Sequence, residues 1–188
     1  MTDDGWLPGV ERIPSPNCDD RPDNEEPSVI IIHAISLPPR QYGGDYIERL
    51  FTNRLDPNEH PYFREIEGLE VSAHFLIDRE GSLTQYVPVN RRAWHAGESV
   101  YAGRAACNDF SVGIELEGDE VSDYTAAQYK VLAAVIDTLR TSGDSLRDAP
   151  VVGHSDIAPG RKTDPGPAFD WARLGGLLAV PALPSDSA

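Results

Sequence analysis

The sequence predicts a single α/β (α+β) domain in which helices flank a central mixed β-sheet. Residues 28–32 form a continuous, mostly β-branched run, which is typical of a strand that is buried on both faces. Strand-like and helix-like segments alternate after this run, which favours an α/β architecture. A length of 188 residues suits one domain with a full hydrophobic core.

The chain divides into three predicted segments. Residues 1–27 are rich in Pro, Asp, Asn and Glu, and we expect an irregular arm that packs on the core. Residues 28–180 form the domain, and residues 181–188 are expected to be a loose tail. Four side chains of the arm are candidate anchors onto the core: Trp6, Leu7, Val10 and Ile13.

The first half of the domain predicts one strand, one short helix and one hairpin. The strand of residues 28–32 ends at His33, and residues 46–51 form the short helix. Residues 53–67 are predicted to be loop because they hold two prolines and mixed polarity. The hairpin pairs residues 71–77 with residues 83–87, with Gly81 in the turn.

The second half predicts two strands and two helices. Residues 111–118 form a strand in which Gly113 indicates close packing. Thr125 begins a helix that runs to about residue 140, because Gln128 completes a capping box. Residues 150–152 form the last strand, and Asp170 caps a short final helix. The buried stripe of the longer helix comprises Tyr129, Leu132, Ile136 and Leu139.

Charge and composition exclude several classes of partner. The formal net charge of −15 argues against nucleic-acid binding and against an anionic membrane surface. No stretch is long and apolar enough for a membrane span or a signal peptide. Cys18 and Cys107 form no disulfide framework, so we expect a cytoplasmic protein. A monomer is the default expectation.

Two histidines and one aspartate could form a metal site. His33 and His154 each follow a predicted strand, and Asp164 lies ten positions after His154 on a loop rich in proline and glycine. Two imidazoles and one carboxylate suit a catalytic zinc ion with an open position for water. Spacing alone leaves a second interpretation open, in which the histidines are ordinary polar residues and Asp164 forms a turn before Pro165.

Three more charged side chains are candidates for this site. Glu115 and Glu117 share one face of an alternating strand, so either could exchange a proton with water, and a solvated sheet edge is the alternative for each. Lys162 precedes Asp164 by two positions and could stabilise an oxyanion, or it could be a surface lysine.

The other histidines and Cys107 have less specific surroundings. We expect His74 to be a core histidine that is hydrogen-bonded to backbone, and His60 to be exposed. His95 lies on a loop and could line a pocket. Cys107 is expected to be packed and inert rather than a nucleophile paired with a histidine.

Five segments in order carry a resemblance to a known family. They are residues 32–39, 72–77, 93–97, 107–118 and 154–166. Together they resemble the zinc N-acetylmuramoyl-L-alanine amidases, which share a fold with T7-type phage lysozyme and the peptidoglycan recognition proteins. The resemblance covers nearly the whole chain.

The resemblance implies that His33, His154 and Asp164 bind zinc. It also implies that Glu115 is the general base and that Lys162 stabilises the transition state. The implied substrate is an anhydro-muropeptide, in which anhydro-N-acetylmuramic acid is amide-linked to the L-alanine of a stem peptide. Six further residues are predicted to contact this substrate: Tyr62, Trp94, His95, Arg104, Asn108 and Arg161.

Three positions depart from the family pattern. Ala34 follows the first ligand where relatives commonly carry asparagine, and Glu70 and Ala106 replace arginines. These departures concern recognition of the peptide end. Two other functions stay open: a muropeptide-binding module without catalysis, and a lytic amidase that acts on polymeric peptidoglycan.

Overall fold

The computed structural model describes residues 1–23 and 25–178. Its strands are β1 (Glu11–Arg12), β2 (Cys18–Asp20), β3 (Val29–Ile35), β4 (Phe75–Ile77), β5 (Leu83–Gln85), β6 (Arg91–Ala93), β7 (Val100–Tyr101), β8 (Arg104–Ala105), β9 (Ser111–Glu117) and β10 (Val151–Gly153). Its α-helices are α1 (Tyr46–Phe51), α2 (Pro61–Glu65), α3 (Ala126–Ser142), α4 (His154–Ile157) and α5 (Trp171–Leu178). The predicted tail of residues 181–188 lies outside the described residues, and the boundary at residue 27 stays a prediction.

A six-stranded sheet in the order β1-β5-β4-β9-β3-β10 forms the centre of the molecule. Strands β4, β9, β3 and β10 run parallel to one another. Strand β5 is antiparallel to β4, and β1 runs parallel to β5 at the edge. The predicted central mixed sheet is therefore confirmed. None of the described helices combines the length and the apolarity that crossing a membrane requires.

Strand β3 is buried on both faces, as its continuous apolar run predicts. Ile30 and Ile32 pack in the cluster that contains the stripe of α3. Val29 and Ile31 point to the opposite face and pack with Ile157 of α4. This alternation separates a purely apolar layer under α3 from a second layer that has room for polar side chains.

Helix α3 begins and packs as predicted. The Thr125 hydroxyl oxygen accepts a hydrogen bond from the Gln128 N–H (3.1 Å), and the Thr125 N–H donates to the Gln128 side-chain oxygen (3.0 Å). The predicted stripe on this helix is buried. Asp170 caps α5, because its carboxylate accepts from the Arg173 N–H (2.9 Å).

The predicted loop of residues 53–67 is wrong over part of its length, because it contains α2. Pro61 stands in the first turn, where its missing N–H costs nothing. The His60 imidazole caps this helix by accepting from the Tyr62 N–H at 3.1 Å. His60 is accordingly half-buried rather than exposed. Histidine is not among the usual capping residues, and the prolines were interpreted as loop signals although Pro61 suits the first turn of a helix, so the helix was not predicted.

The N-terminal arm is more ordered than an irregular segment. It adds β1 to the sheet edge, and β2 pairs with β6. Leu7 is buried in the core, and its N–H donates to the Gln85 side-chain oxygen at 2.8 Å. The Arg21 guanidinium reaches the interior and donates to four backbone carbonyls, those of Val89, Asn108, Asp109 and Ser111, at 2.8–3.2 Å.

Replacement of Arg21 by alanine should destabilise the protein by about 2–4 kcal/mol, because buried carbonyls lose a charged donor. Urea unfolding of the variant measures this loss. Arg12→Ala is the matched control, since Arg12 lies on the same arm but is exposed, and it should change the unfolding free energy by less than about 0.5 kcal/mol. Equal effects of the two variants would contradict the role of Arg21.

His74 is the predicted core histidine, fully buried and bonded to backbone. Its Nδ1 accepts from the Gly113 N–H (3.0 Å), and its Nε2 lies 3.1 Å from the Arg91 carbonyl oxygen. Burial, followed by the nearby charge of Arg21, lowers the pKa of His74 to about 3. The folded state therefore holds this ring neutral, whereas the unfolded chain protonates it near pH 6.5.

His74 should therefore contribute stability that is complete above pH 6.5 and is lost as the pH falls toward 3. Urea unfolding of the metal-free protein across this range, compared with His74→Asn, measures the contribution. Asparagine keeps an acceptor for the Gly113 N–H but does not titrate. The stability difference between wild type and variant should shrink with acidification, and a constant difference would contradict the assignment.

Candidate active site

Three polar side chains lie at one level of three neighbouring parallel strands. His33 in β3 is paired with Glu115 in β9, and Gly153 at the end of β10 is paired with Ile32. His154 therefore follows at the level of His33. Laterally paired residues of parallel strands point to the same face, which here is the face opposite α3. Strand β3 continues past His33 to Ile35, so its predicted end is two residues early.

A folded-back loop returns Asp164 to this level. After α4, the Lys162 N–H donates to the Ala158 carbonyl at 3.0 Å, which turns the chain. The Ser155 N–H then donates to the Asp164 carbonyl at 3.0 Å. These bonds bring Asp164 back beside His154, as the predicted loop required.

His33, His154 and Asp164 converge in a tight, buried triangle. The two Nδ1 atoms lie 2.9 Å apart, and Asp164 Oδ2 lies 3.2 Å from His33 Nδ1 and 3.1 Å from His154 Nδ1. Donor atoms around a tetrahedral metal ion with bonds of about 2.0–2.1 Å are about 3.3 Å apart. All three residues are buried, and their spacing suits a metal ion.

The bonds behind the triangle favour metal-binding tautomers. His154 Nε2 lies 3.1 Å from the Ala96 carbonyl oxygen, which can only accept, so the proton of a neutral His154 lies on Nε2. Its Nδ1 lone pair then points into the triangle. His33 Nε2 lies 2.8 Å from His95 Nδ1, on the side of its ring away from the triangle. The residues therefore fit a divalent cation.

The ionisation states agree with this assignment. Burial lowers the pKa of His33 to about 4, although the hydrogen bond to Asp164 opposes the shift. Burial would raise the pKa of Asp164, but the imidazoles of His154 and His33, which lie within hydrogen-bonding distance of its carboxylate, outweigh this effect and lower that pKa. The site thus offers a neutral His33 imidazole and an ionised carboxylate, which are the forms that bind metal.

Glu115 lies beside the triangle and has a buried oxygen without a hydrogen-bond partner in the described part of the chain. Its side chain is buried, and its Oε2 has no hydrogen-bond partner among the described residues. Burial and then the charge of Asp164 raise the pKa of Glu115 well above its ordinary value, while Lys162 acts in the opposite direction. A buried carboxyl oxygen without a partner indicates that a polar group is bound there in the working protein.

A cavity of about 460 Å³ opens onto these groups. It is lined by all five predicted catalytic and metal-binding residues: His33, Glu115, His154, Lys162 and Asp164. Among the described lining residues, lysine or arginine side chains come from Lys162 and Arg40. Val121 and Leu69 add exposed apolar surface to the lining.

The structure divides the predicted substrate contacts into two groups. Tyr62, Trp94 and His95 line the cavity. Asn108, Arg104 and Arg161 do not. The Asn108 side-chain oxygen accepts from the backbone N–H groups of His95 and Ala96 and holds their loop.

The two arginines outside the cavity are engaged elsewhere. Arg161 donates to the Ala96 and Glu98 carbonyls at 2.6 and 2.5 Å. Arg104 pairs with Glu25 at 2.7 Å. The spacing of these residues in the sequence did not indicate that they bond to other parts of the protein.

The remaining candidates are explained by packing. Glu117 is not at a solvated sheet edge, because it is buried and accepts from the N–H groups of Gly43 and Arg79. Cys107 is packed as predicted, and burial raises the pKa of its thiol. Glu70 lines a smaller neighbouring cavity of about 130 Å³.

Sequence reasoning missed the residues that support the metal ligands. Ala96 lies in one of the segments that resemble the family, but its backbone carbonyl has no side chain that could indicate the contact with His154. The one available signal was Gly113, which was expected to pack closely. A Cβ atom at this position would lie 2.5 Å from the His95 ring, so the glycine makes room for that ring.

Comparisons with known proteins agree on one family. The family model described as N-acetylmuramoyl-L-alanine amidase matches residues 23–167. The chain is 56% identical over 180 residues to the 1,6-anhydro-N-acetylmuramyl-L-alanine amidase AmpD of Salmonella typhimurium strain SL1344, covering 96% of each chain.

Solved structures are similar over most of the chain. A crystal structure of a selenomethionine derivative of AmpD superposes with a TM-score of 0.91 at 55% identity, covering 95% of this chain and 99% of that one. AmiD from Escherichia coli, solved with anhydro-N-acetylmuramic acid-L-Ala-D-gamma-Glu-L-Lys, has a TM-score of 0.57 at 26% identity, covering 84% of this chain and 60% of that one. The chain therefore belongs to the N-acetylmuramoyl-L-alanine amidase family.

Proposed function

We propose that this protein hydrolyses the amide bond between 1,6-anhydro-N-acetylmuramic acid and the L-alanine of a stem peptide, as a step of peptidoglycan recycling. The observation that carries the proposal is the convergence of the metal-ligand triangle, Glu115 and Lys162 on one cavity. The similarity to AmpD over 96% of the chain supports the choice of substrate.

We propose zinc as the metal. Two imidazole nitrogens and one carboxylate oxygen suit zinc, whereas magnesium and calcium prefer sites made of oxygen ligands. His33, His154 and Asp164 would hold the ion and leave one position open. Zinc, when bound, acts as a Lewis acid toward a carbonyl and lowers the pKa of water to about 7.

Glu115 is proposed to transfer the proton of the attacking water to the leaving nitrogen. Its carboxylate removes a proton from the attacking water and delivers it to the nitrogen of L-alanine as the amide bond breaks. Burial raises the pKa of Glu115, and a carboxylate with a raised pKa is a stronger base than an ordinary one, which suits removal of a proton from water. The free Oε2 atom is available for the water.

Lys162 is proposed to stabilise the oxyanion that forms when water attacks the amide carbon. The N–H of Lys162 is tied to the turn before Asp164, so its side chain enters the cavity next to the ligand triangle. Lys162 is exposed at the rim of the cavity, and its ammonium group can reach the place where negative charge develops.

Tyr62 and Trp94 are proposed to bind the sugar or the peptide, since both line the cavity. The tripeptide ligand of the AmiD structure shows the class of molecule that a relative accommodates.

A cytoplasmic location and a monomeric state stay predictions. Activity on polymeric peptidoglycan is the second candidate function, and an experiment must distinguish it from cleavage of soluble anhydro-muropeptides.

Purified protein should release free peptide from soluble anhydro-N-acetylmuramyl-tripeptide, as detected by mass spectrometry. Release should stop when a chelator removes the metal and should return when zinc is added. Intact sacculi, incubated in parallel, should be cleaved far more slowly. Faster cleavage of sacculi would favour a lytic amidase, and zinc-loaded protein that binds but never cleaves would favour a binding module.

Glu115→Gln should retain zinc but lower kcat by about 10²–10⁴-fold, because the variant cannot accept the proton of water. Zinc content by atomic absorption and peptide release by chromatography measure the two properties. Glu65→Gln makes the same chemical change at an exposed residue that does not line the cavity and should keep wild-type activity. Full turnover by Glu115→Gln would refute its role.

A further inference from the structure

His95 lies directly behind the metal-ligand triangle, although it is not one of its three members. Its Nδ1 atom lies 2.8 Å from His33 Nε2, and its own Nε2 lies 3.1 Å from the Ser111 hydroxyl oxygen. The rings of His33 and His95 meet edge to face, with centroids 4.9 Å apart. Both nitrogens of His95 are therefore engaged within the protein.

When a cation is bound at the triangle, only one arrangement of the ring protons of His33 and His95 satisfies all of these contacts. His33 Nδ1 must offer its lone pair to the triangle, so the proton of the neutral ring lies on Nε2. That N–H donates to His95 Nδ1, which must accept. The remaining proton of His95 is then on Nε2 and donates to the Ser111 hydroxyl oxygen.

The ring of His95 is held in place from two sides. The Asn108 side-chain oxygen accepts from the His95 N–H at 3.1 Å. Gly113 lies so close that an added Cβ would be 2.5 Å from the ring. The next residue, Ala96, accepts from His154 with its carbonyl. One short loop thus contacts the outer nitrogen of both histidine ligands.

We propose that His95 is a positioning residue of the metal site, whose Nδ1 atom accepts the His33 Nε2–H and so sets the tautomer and ring orientation of this ligand. The proposal rests on the metal site of the proposed function but not on its substrate. It differs from the sequence-based expectation for His95, which was contact with substrate. Residues of this kind commonly change metal affinity by about 10–100-fold when they are replaced.

Three substitutions at position 95 separate the acceptor from the bulk of the ring. Asparagine places its side-chain oxygen where imidazole has Nδ1, so His95→Asn keeps an acceptor for His33. Glutamine places its amide farther out, near the position of Nε2, so His95→Gln can reach Ser111 but not His33. His95→Leu fills the space and offers no acceptor.

The experiment measures the zinc dissociation constant of each folded variant by competition with a chromophoric chelator. His95→Leu and His95→Gln should bind zinc about 10–100-fold more weakly than wild type, and His95→Asn should recover most of this loss. Visible spectra of the cobalt-substituted proteins should change for the leucine and glutamine variants and remain close to wild type for asparagine.

His74→Leu is the control for packing. The His74 ring lies 5.8 Å from that of His95 between centroids, but its nitrogens bond to the backbone of Gly113 and Arg91 rather than to His33. This variant should lower the unfolding midpoint of the metal-free protein without changing the zinc affinity of the folded protein.

Three results would overturn the proposal. They are wild-type zinc affinity in His95→Leu, equal losses in all three variants at position 95, and an equal loss in His74→Leu. An increase in KM at unchanged zinc affinity would likewise overturn it in favour of substrate contact. Wild-type protein that binds zinc but leaves the muropeptide intact would refute the proposed substrate, and the zinc measurements would still decide the role of His95.

Discussion

The lateral register of β10, β3 and β9 is the constraint on which the site depends. Pairing of His33 with Glu115, and of Ile32 with the residue before His154, places three polar groups on one level of one sheet face. A shift of one residue in β3 would turn His33 toward α3 and would turn Ile30 and Ile32 toward the cavity. The continuous burial of β3 on both faces makes such a shift unfavourable, so the apolar core secures the catalytic geometry.

The site concentrates groups that are unfavourable in a protein interior. Two imidazoles and a carboxylate meet within about 3 Å of one another, and Glu115 holds an oxygen without a partner. Bonds to the Ala96 carbonyl and to His95 orient the two rings. The free-energy cost of burying the two imidazoles and the carboxylate is fully compensated only when a cation is bound between them. The fold therefore prepares the metal-binding geometry before the metal arrives, and metal binding should in turn stabilise the fold.

Support for the site comes from parts of the chain that are distant in sequence. Arg21 of the N-terminal arm donates to the carbonyls of Asp109 and Ser111, next to the start of β9. Asn108 holds the loop of His95 and Ala96, and Arg161 donates to the carbonyl of Ala96 from the opposite side. The two side chains thus hold the loop whose atoms contact the outer nitrogens of His33 and His154, and the arm fixes the segment that follows Asn108.

Local patterns in the sequence were sufficient for the central sheet and for the capped helix α3. The resemblance to the family pointed to the five proposed catalytic and metal-binding residues, which the structure brings to one cavity. Continuous apolar runs identify central strands, a capping box identifies a helix start, and residues after parallel strands collect at one sheet edge. The short helix α2 escaped prediction because a histidine caps it, and Glu117 could not be separated from Glu115 by alternation alone. The contacts of His95, Asn108 and Arg161 became visible only in the tertiary structure, because each contact depends on which atom of a distant residue lies within hydrogen-bonding distance, and sequence spacing carries no information about that distance.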